Sequence, residues 1–206
     1  MLNDLTLSQI GMRLVAIVII AALHGATLAG TAVLLGDRGP RHDGRMTVDP
    51  FAHFDLFGTL AAVVTGVGWT RPVAIDQGEM RTGWAGLVFV VVAGTVALVS
   101  TALVCLALVR PALEVLSYTT GLAAAATLRT AARMCLWMAI LNLLPIPPLT
   151  GAHLLEAARL KAPVRVVWAT TALLLVLLAT GFLQSVLMPV FAVVTSVVAG
   201  SALSGG

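Results

Sequence analysis

The chain has 206 residues and a formal net charge of +3, and it is 59% hydrophobic against 10% charged, where a soluble domain carries about a quarter charged residues. With a mean hydropathy of +1.03, water is excluded as its main solvent. The bases are scattered through short loops beside apolar runs, which is an orientation signal and leaves no nucleic-acid footprint.

The opening MLNDLTLSQIGMR places an acid, Asp4, before the first base, Arg13. The apolar run that follows, about Gly11 to Leu35, is longer than a signal-peptide core and lacks a cleavage site, so it is expected to stay in the mature protein as a span. The polar stretch GDRGPRHDGRMTVDP reads as a loop. Phe54 to Trp69 is short for a full crossing and contains Gly58, Gly66 and Gly68, so it is expected to dip in and return. After TRPVAIDQGEMRTG, a span runs from Trp84 to Val109, where Arg110 and Pro111 are expected to stop it by charge and by a missing amide hydrogen. The next helix, Ser117 to Leu144, is apolar except for Arg129 and Arg133 and ends at the prolines of LLPIPPLTG. Beyond the basic EAARLKAPVR, the run from Val166 is weakened at Gln184 and Ser185 and broken at Pro189. It reads as a span plus a shorter terminal helix over 164–203, followed by a frayed tail, SALSGG. Cys105 and Cys135 lie inside apolar runs and are given no redox role.

The sequence therefore predicts an all-α integral membrane protein. It should form a polytopic helical bundle of about five to six membrane segments, one of them re-entrant, in a single domain over 1–206. If Phe54–Trp69 returns, then Arg38, Arg41, Arg45, Arg71, Arg81, Arg159, Lys161 and Arg165 share one face. That face is expected to be cytoplasmic, with the N-terminus outward.

Four stretches resemble the site-2 proteases, intramembrane zinc metalloproteases, and in particular their compact bacterial branch. Asp49, Pro50, His53, Asp55 and Gly58 fit that branch's Asn-Pro-x-x-His-x-Asp-Pro-x-Gly run. GWTRPVAID, Gly68 to Asp76, resembles its Gly-Trp-Ala-Lys-Pro-Val-Pro-Val element, and NLLPIPPLTG, Asn142 to Gly151, resembles Asn-Leu-Leu-Pro-Ile-Pro-Pro-Leu-Asp-Gly. LHGATLA stands where the family has His-Glu-x-x-His. The resemblance implies a protease-like core over about 11–160 and a multi-pass protein of the bacterial inner membrane.

The departures fall on the chemistry. Histidines at i and i+4 share a helix face and bind one zinc, while the intervening Glu acts as base on the metal-bound water. Here His24 keeps the first ligand position, but Gly25 replaces the base, Leu28 the second ligand, and Thr150 the aspartate that is the family's third ligand. No catalytic residue, metal ligand set or cofactor is therefore assigned, zinc is not expected, and the chain reads as a pseudoenzyme. Its leading role is an accessory or structural subunit among other integral membrane proteins. The alternatives are a residual or altered metal-dependent protease, using His24 with His53 or His153, and a pseudoprotease that shields single-span proteins.

His53 and Asp55 read as capping and turn residues, and His153 follows Thr150 closely enough to approach the old site. Arg129 and Arg133, at i and i+4, put two guanidiniums on one face of a membrane helix and need a partner there. Candidates are the outer headgroups, a water-filled remnant of the active site, an anionic lipid, a carboxylate on another protein, or Glu114 and Glu156 within the chain. Gly94 and the run Ala123 to Ala126 permit close helix packing.

Overall fold

The computed structural model describes residues 6–200; Asp4 and the SALSGG tail lie outside the described residues. Helix α1, Leu7–Leu34, starts where the Thr6 side chain accepts a hydrogen bond from the Gln9 amide at 3.2 Å, satisfying one of the free donors of its first turn. One stripe of α1, with Ile17, Ile20, His24 and Leu28, is buried. A short helix, α2, Gly39–His42, and a single 3-10 turn, Pro50–Ala52, lead to α3, Leu56–Thr65. The Asp55 carboxylate caps α3 by accepting from the Gly58 amide at 2.7 Å, and Gly66, at φ 79°, ends it in the left-handed conformation. The chain then runs back extended along α3, and the Arg71 amide donates to the His53 carbonyl at 2.8 Å. The two ends of the short apolar segment therefore meet, which is the return expected of it.

Helix α4, Trp84–Val115, and helix α5, Tyr118–Leu141, form a long hairpin joined through Leu116 and Ser117. Contrary to the expected stop at Arg110, α4 continues through Pro111 to Val115. Proline removes only its own amide and orphans the Ala107 carbonyl. Four residues from the helix end this costs little, and the Arg110–Glu114 pair at 2.7 Å spans the defect.

The chain then forms α6, Ala152–Ala157, α7, Val164–Ala179, and α8, Phe182–Ala199. The C-terminal run breaks at Thr180–Gly181, not at Gln184, Ser185 or Pro189, and α8 with 18 residues exceeds α7 with 16, so the terminal helix is not the shorter. Gly181 adopts φ 73°, which other residues resist, and α8 leaves α7 at 76°. Gln184 and Ser185 fit within α8 because each finds a carbonyl, Thr65 O at 3.4 Å and Gly181 O at 2.9 Å.

Among the described residues there is no strand. Helices α1, α4 and α5 are long and apolar enough to cross a membrane, α7 with α8 adds a fourth if taken as one bent span, and α3 is a short apolar helix. Large apolar side chains such as Phe89, Val96 and Val104 project outward, as hydrocarbon solvent allows. The core gathers Leu98 and Leu174 on the lower half of α5, where Trp137 stacks on Phe191 at 4.2 Å between ring centroids.

The returning strap depends on glycine at Gly58 and Gly68. A Cβ on Gly68 would overlap the Gly58 carbonyl and come 2.7 Å from the Ala62 methyl. Gly68→Ala is therefore expected to destabilise the fold by about 1–3 kcal/mol, the usual cost of overpacking. It should appear as a lower thermal unfolding midpoint in detergent.

Candidate functional site

Three elements meet at His24: its own helix α1, the middle of α4, and the proline loop after α5. α1 and α4 approach closely because Gly94 has no side chain; a Cβ there would lie 2.6 Å from Leu28 Cδ2 and 2.8 Å from His24 Cε1. His24 and Leu28, one turn apart and each 1% exposed, are thus pressed into the same groove of α4. This is the close packing that the sequence assigned to Gly94.

His24 Nδ1 lies 3.3 Å from the Gly94 carbonyl and Nε2 lies 3.3 Å from Thr150 Oγ1. A carbonyl only accepts, so Nδ1 carries the proton and Nε2 presents its lone pair to the Thr150 hydroxyl, which donates. The ring is held as a metal-binding histidine is held, with the far nitrogen anchored on a carbonyl. The lone pair that would meet a metal meets a hydroxyl proton instead. Thr150 is positioned in turn by Asn142, whose Oδ1 accepts from the Thr150 amide at 3.2 Å. Asn142 opens the NLLPIPPLTG motif, and its spacing of eight residues from Thr150 across a proline loop is a signal for such a clamp.

The position after His24 is occupied from elsewhere in the chain. A Cβ on Gly25 would fall within the ring of His53, which packs directly on the Gly25 backbone and is fully buried. His53 was expected to serve turn chemistry, but Asp49 and Asp55 do that, accepting from the Phe51 and Gly58 amides. His53 instead fills the volume where the side chain of residue 25 would begin. Its Nε2–H donates to the Thr47 carbonyl at 2.8 Å, and its Nδ1 is buried without a partner among the described residues. Burial holds the His53 pKa below the usual histidine range, with Arg45 acting the same way and the Thr47 bond and Asp49 opposing it.

These residues do not fit zinc, which takes three protein ligands in such sites. His24 offers one lone pair, already engaged; Leu28 offers methyls; Thr150 offers a neutral hydroxyl. Among the described residues, no three of His, Cys, Asp and Glu converge where they could hold a metal ion.

The other sequence candidates lie apart. His153 turns to Glu156, Nδ1 to Oε2 at 3.0 Å, and lines a cavity of ≈ 430 Å³ between the Pro72–Gln77 segment and the Pro147–Leu149 loop. Glu114 is taken by Arg110. Both in-chain carboxylates considered for Arg129 and Arg133 are thus paired elsewhere, and both arginines are exposed. Arg133 borders a second cavity together with Arg13 and Gln184, two residues to which the sequence assigned no site.

The fold and site define an all-helical membrane protein built around a histidine at a protease-like position. The chain is similar to the Bacillus subtilis (strain 168) protein named "Putative zinc metalloprotease YwhC", with 28% identity over 158 residues, covering 73% of this chain and 70% of that protein. This likeness supports the site-2-protease resemblance read from the motifs. No family model matches the chain, and no solved structure matches it.

Two outcomes follow from the packing of His53 on Gly25. Gly25→Ala should lower the unfolding midpoint, and adding His53→Ala should recover part of the loss. That gives a coupling of about 0.5–3 kcal/mol between the two positions in a double-mutant cycle. The second outcome concerns pH. An unfolded histidine titrates near 6.5 and folded His53 lower, so its neutral form supports the fold fully above about pH 6.5. As pH falls below that value the unfolded chain takes up the proton first, and stability declines until the folded pKa is passed. Unfolding midpoints measured between neutral and mildly acidic pH should fall for the native chain and fall less for His53→Gln.

Proposed function

We propose that this protein is a proteolytically inactive, site-2-protease-like protein of the bacterial inner membrane, acting as an accessory or structural subunit of a larger membrane complex. The observation that carries this reading is the hydrogen bond from Thr150 to His24 Nε2, made where a hydrolytic metal would need that lone pair. Around it, Leu28 fills the space of a second ligand and His53 the space of a general base. Among the described residues His24, Gly25, Leu28 and Thr150 bring no carboxylate to this position, so hydrolysis by the metal-activated-water mechanism would want both metal ligands and a base. The scaffold keeps its helices and its outward surfaces, and those are what a subunit uses. The subunit role rests on analogy with small helical components of membrane assemblies.

A second reading draws on the unpartnered Nδ1 of His53, buried on the residue beside His24. Two imidazoles brought together by a local shift would make a residual metal site.

Purification of the native protein in mild detergent, with mass spectrometry of co-purifying chains and metal analysis of the same sample, tests both. The expected result is a fixed-ratio complex with zinc well below one per chain. An isolated protein with near-stoichiometric metal that cleaves a single-span substrate would overturn the proposal and favour the second reading. A mixed population of single-span proteins in place of fixed partners would replace the subunit role with a shielding one.

A further inference from the structure

The second cavity, ≈ 310 Å³, lies at one end of the bundle and is lined by Arg13, Arg133, Gln184, Thr130, Gln9 and Thr65 among others. Its depth follows from α1. From Leu14 to Leu34 the helix carries no charged residue and rises about 30 Å, one hydrocarbon thickness. Arg13 therefore stands at one boundary of the hydrocarbon, and the Gly36–Asp37 turn at the other. α5 is at the same level, because Thr130 Oγ1 reaches Met12 Sδ at 3.9 Å. Arg133, three residues further along α5, lies nearly one turn inside that boundary, from which a long arginine side chain reaches back towards it, and it shares the cavity with Arg13.

The lining is chemically one-sided. It contains two guanidiniums and, among the described residues, no carboxylate. Arg13 uses Nη1 to hold the last carbonyls of α3, Val63 O at 2.9 Å and Val64 O at 2.6 Å, which fixes its guanidinium in place and leaves its other N–H groups for a ligand. Arg133 takes part in neither the Arg110–Glu114 ion pair nor the His153–Glu156 contact, the two such pairs among the described residues. Gln184, only 4% exposed, directs Nε2 to Thr65 O at 3.4 Å and leaves Oε1 buried without a partner among the described residues. That oxygen is closed off from the cavity, so Gln184 serves as part of its wall. Two like charges at the edge of a low-dielectric medium need a counter-anion, and planar guanidiniums suit phosphate oxygens. A phosphate group meets that need.

We propose that this cavity binds a phosphate group, either the headgroup of a phosphoglycerol lipid or free hydrogen phosphate, between Arg13 and Arg133. The site is independent of the proteolytic state of the His24 region. It also resolves the two arginines of α5 into different roles, because Arg129 lies outside the cavity lining.

The test is thermal unfolding and native mass spectrometry of the full chain in a neutral maltoside detergent, with phosphatidylglycerol or sodium phosphate as the added probe. Phosphatidylglycerol should raise the midpoint and be retained as a single adduct. Arg133→Gln should weaken that binding about tenfold, the value of one charge-assisted contact, Arg133→Lys should restore part of it, and Arg129→Gln should leave it unchanged. Arg133→Gln should not lower the native midpoint without probe, since the side chain is exposed and one of two like charges is removed. An Arg133-dependent shift with sodium phosphate alone supports the site and assigns free phosphate as its ligand. No shift with either probe, or a shift of equal size in Arg133→Gln, overturns the proposal.

Discussion

The contact between His24 and Thr150 organises this molecule, because it joins the first span to the proline loop inside the bundle, where both side chains are buried. An imidazole buried in an apolar bundle loses roughly 1–3 kcal/mol for each polar atom left unsatisfied. Both ring nitrogens of His24 therefore have to find partners within the protein. Gly94 supplies one by allowing α4 to approach, and the loop supplies the other through Thr150, itself held by Asn142. α1, α4 and the end of α5 are fixed relative to one another by these few groups. The alanine-rich and β-branched surfaces around them complete the packing.

The same constraint explains the buried polar residues around the returning strap. Asp37 is 1% exposed and accepts from the Gly39 and Asp76 amides at 2.8 and 2.9 Å, tying the α1–α2 turn to the returning strap. Arg45 is 6% exposed and donates to the Arg71 carbonyl at 2.8 Å, and burial, with Arg71 close by, lowers its pKa from the usual arginine range. Irregular backbone at membrane depth is tolerated only where protein groups satisfy it. The strap from Val67 to Asp76 is such a segment, and Asp37, Arg45 and the His53 carbonyl are the groups that satisfy it.

How much of this is legible in the sequence depends on whether the signal is periodic or spatial. The long spans announce themselves by unbroken hydropathy, and the return of Phe54–Trp69 by its length and glycines. The end of α4 was misplaced because a proline near a helix end costs only one orphaned carbonyl. The C-terminal break was misplaced because a buried glutamine and a serine can be satisfied inside a helix, whereas Gly181 alone supplies the positive φ. At the site, the spacing of His24, Gly25 and Leu28 told which face mattered. It could not tell that His53, 28 residues further on, would fill the space above Gly25, because that is set by where the α1–α3 loop descends. The pairing of Arg13 with Arg133 was hidden for the same reason.

The residues at positions 24, 25, 28 and 150 are coupled through shared volume. A glutamate at residue 25 and the ring of His53 compete for one space, so the base cannot return while His53 stays. A second imidazole at residue 28 would meet the Gly94 groove now shaped by leucine methyls. An aspartate at residue 150 would place a charge against a neutral imidazole in a buried site, at a cost of several kcal/mol unless a metal arrived with it. Each reversal alone is therefore unfavourable, and only a concerted set with displacement of His53 would rebuild a ligand shell. Packing of this kind stabilises the scaffold and at the same time sets how many groups would have to move together for a ligand shell to form there.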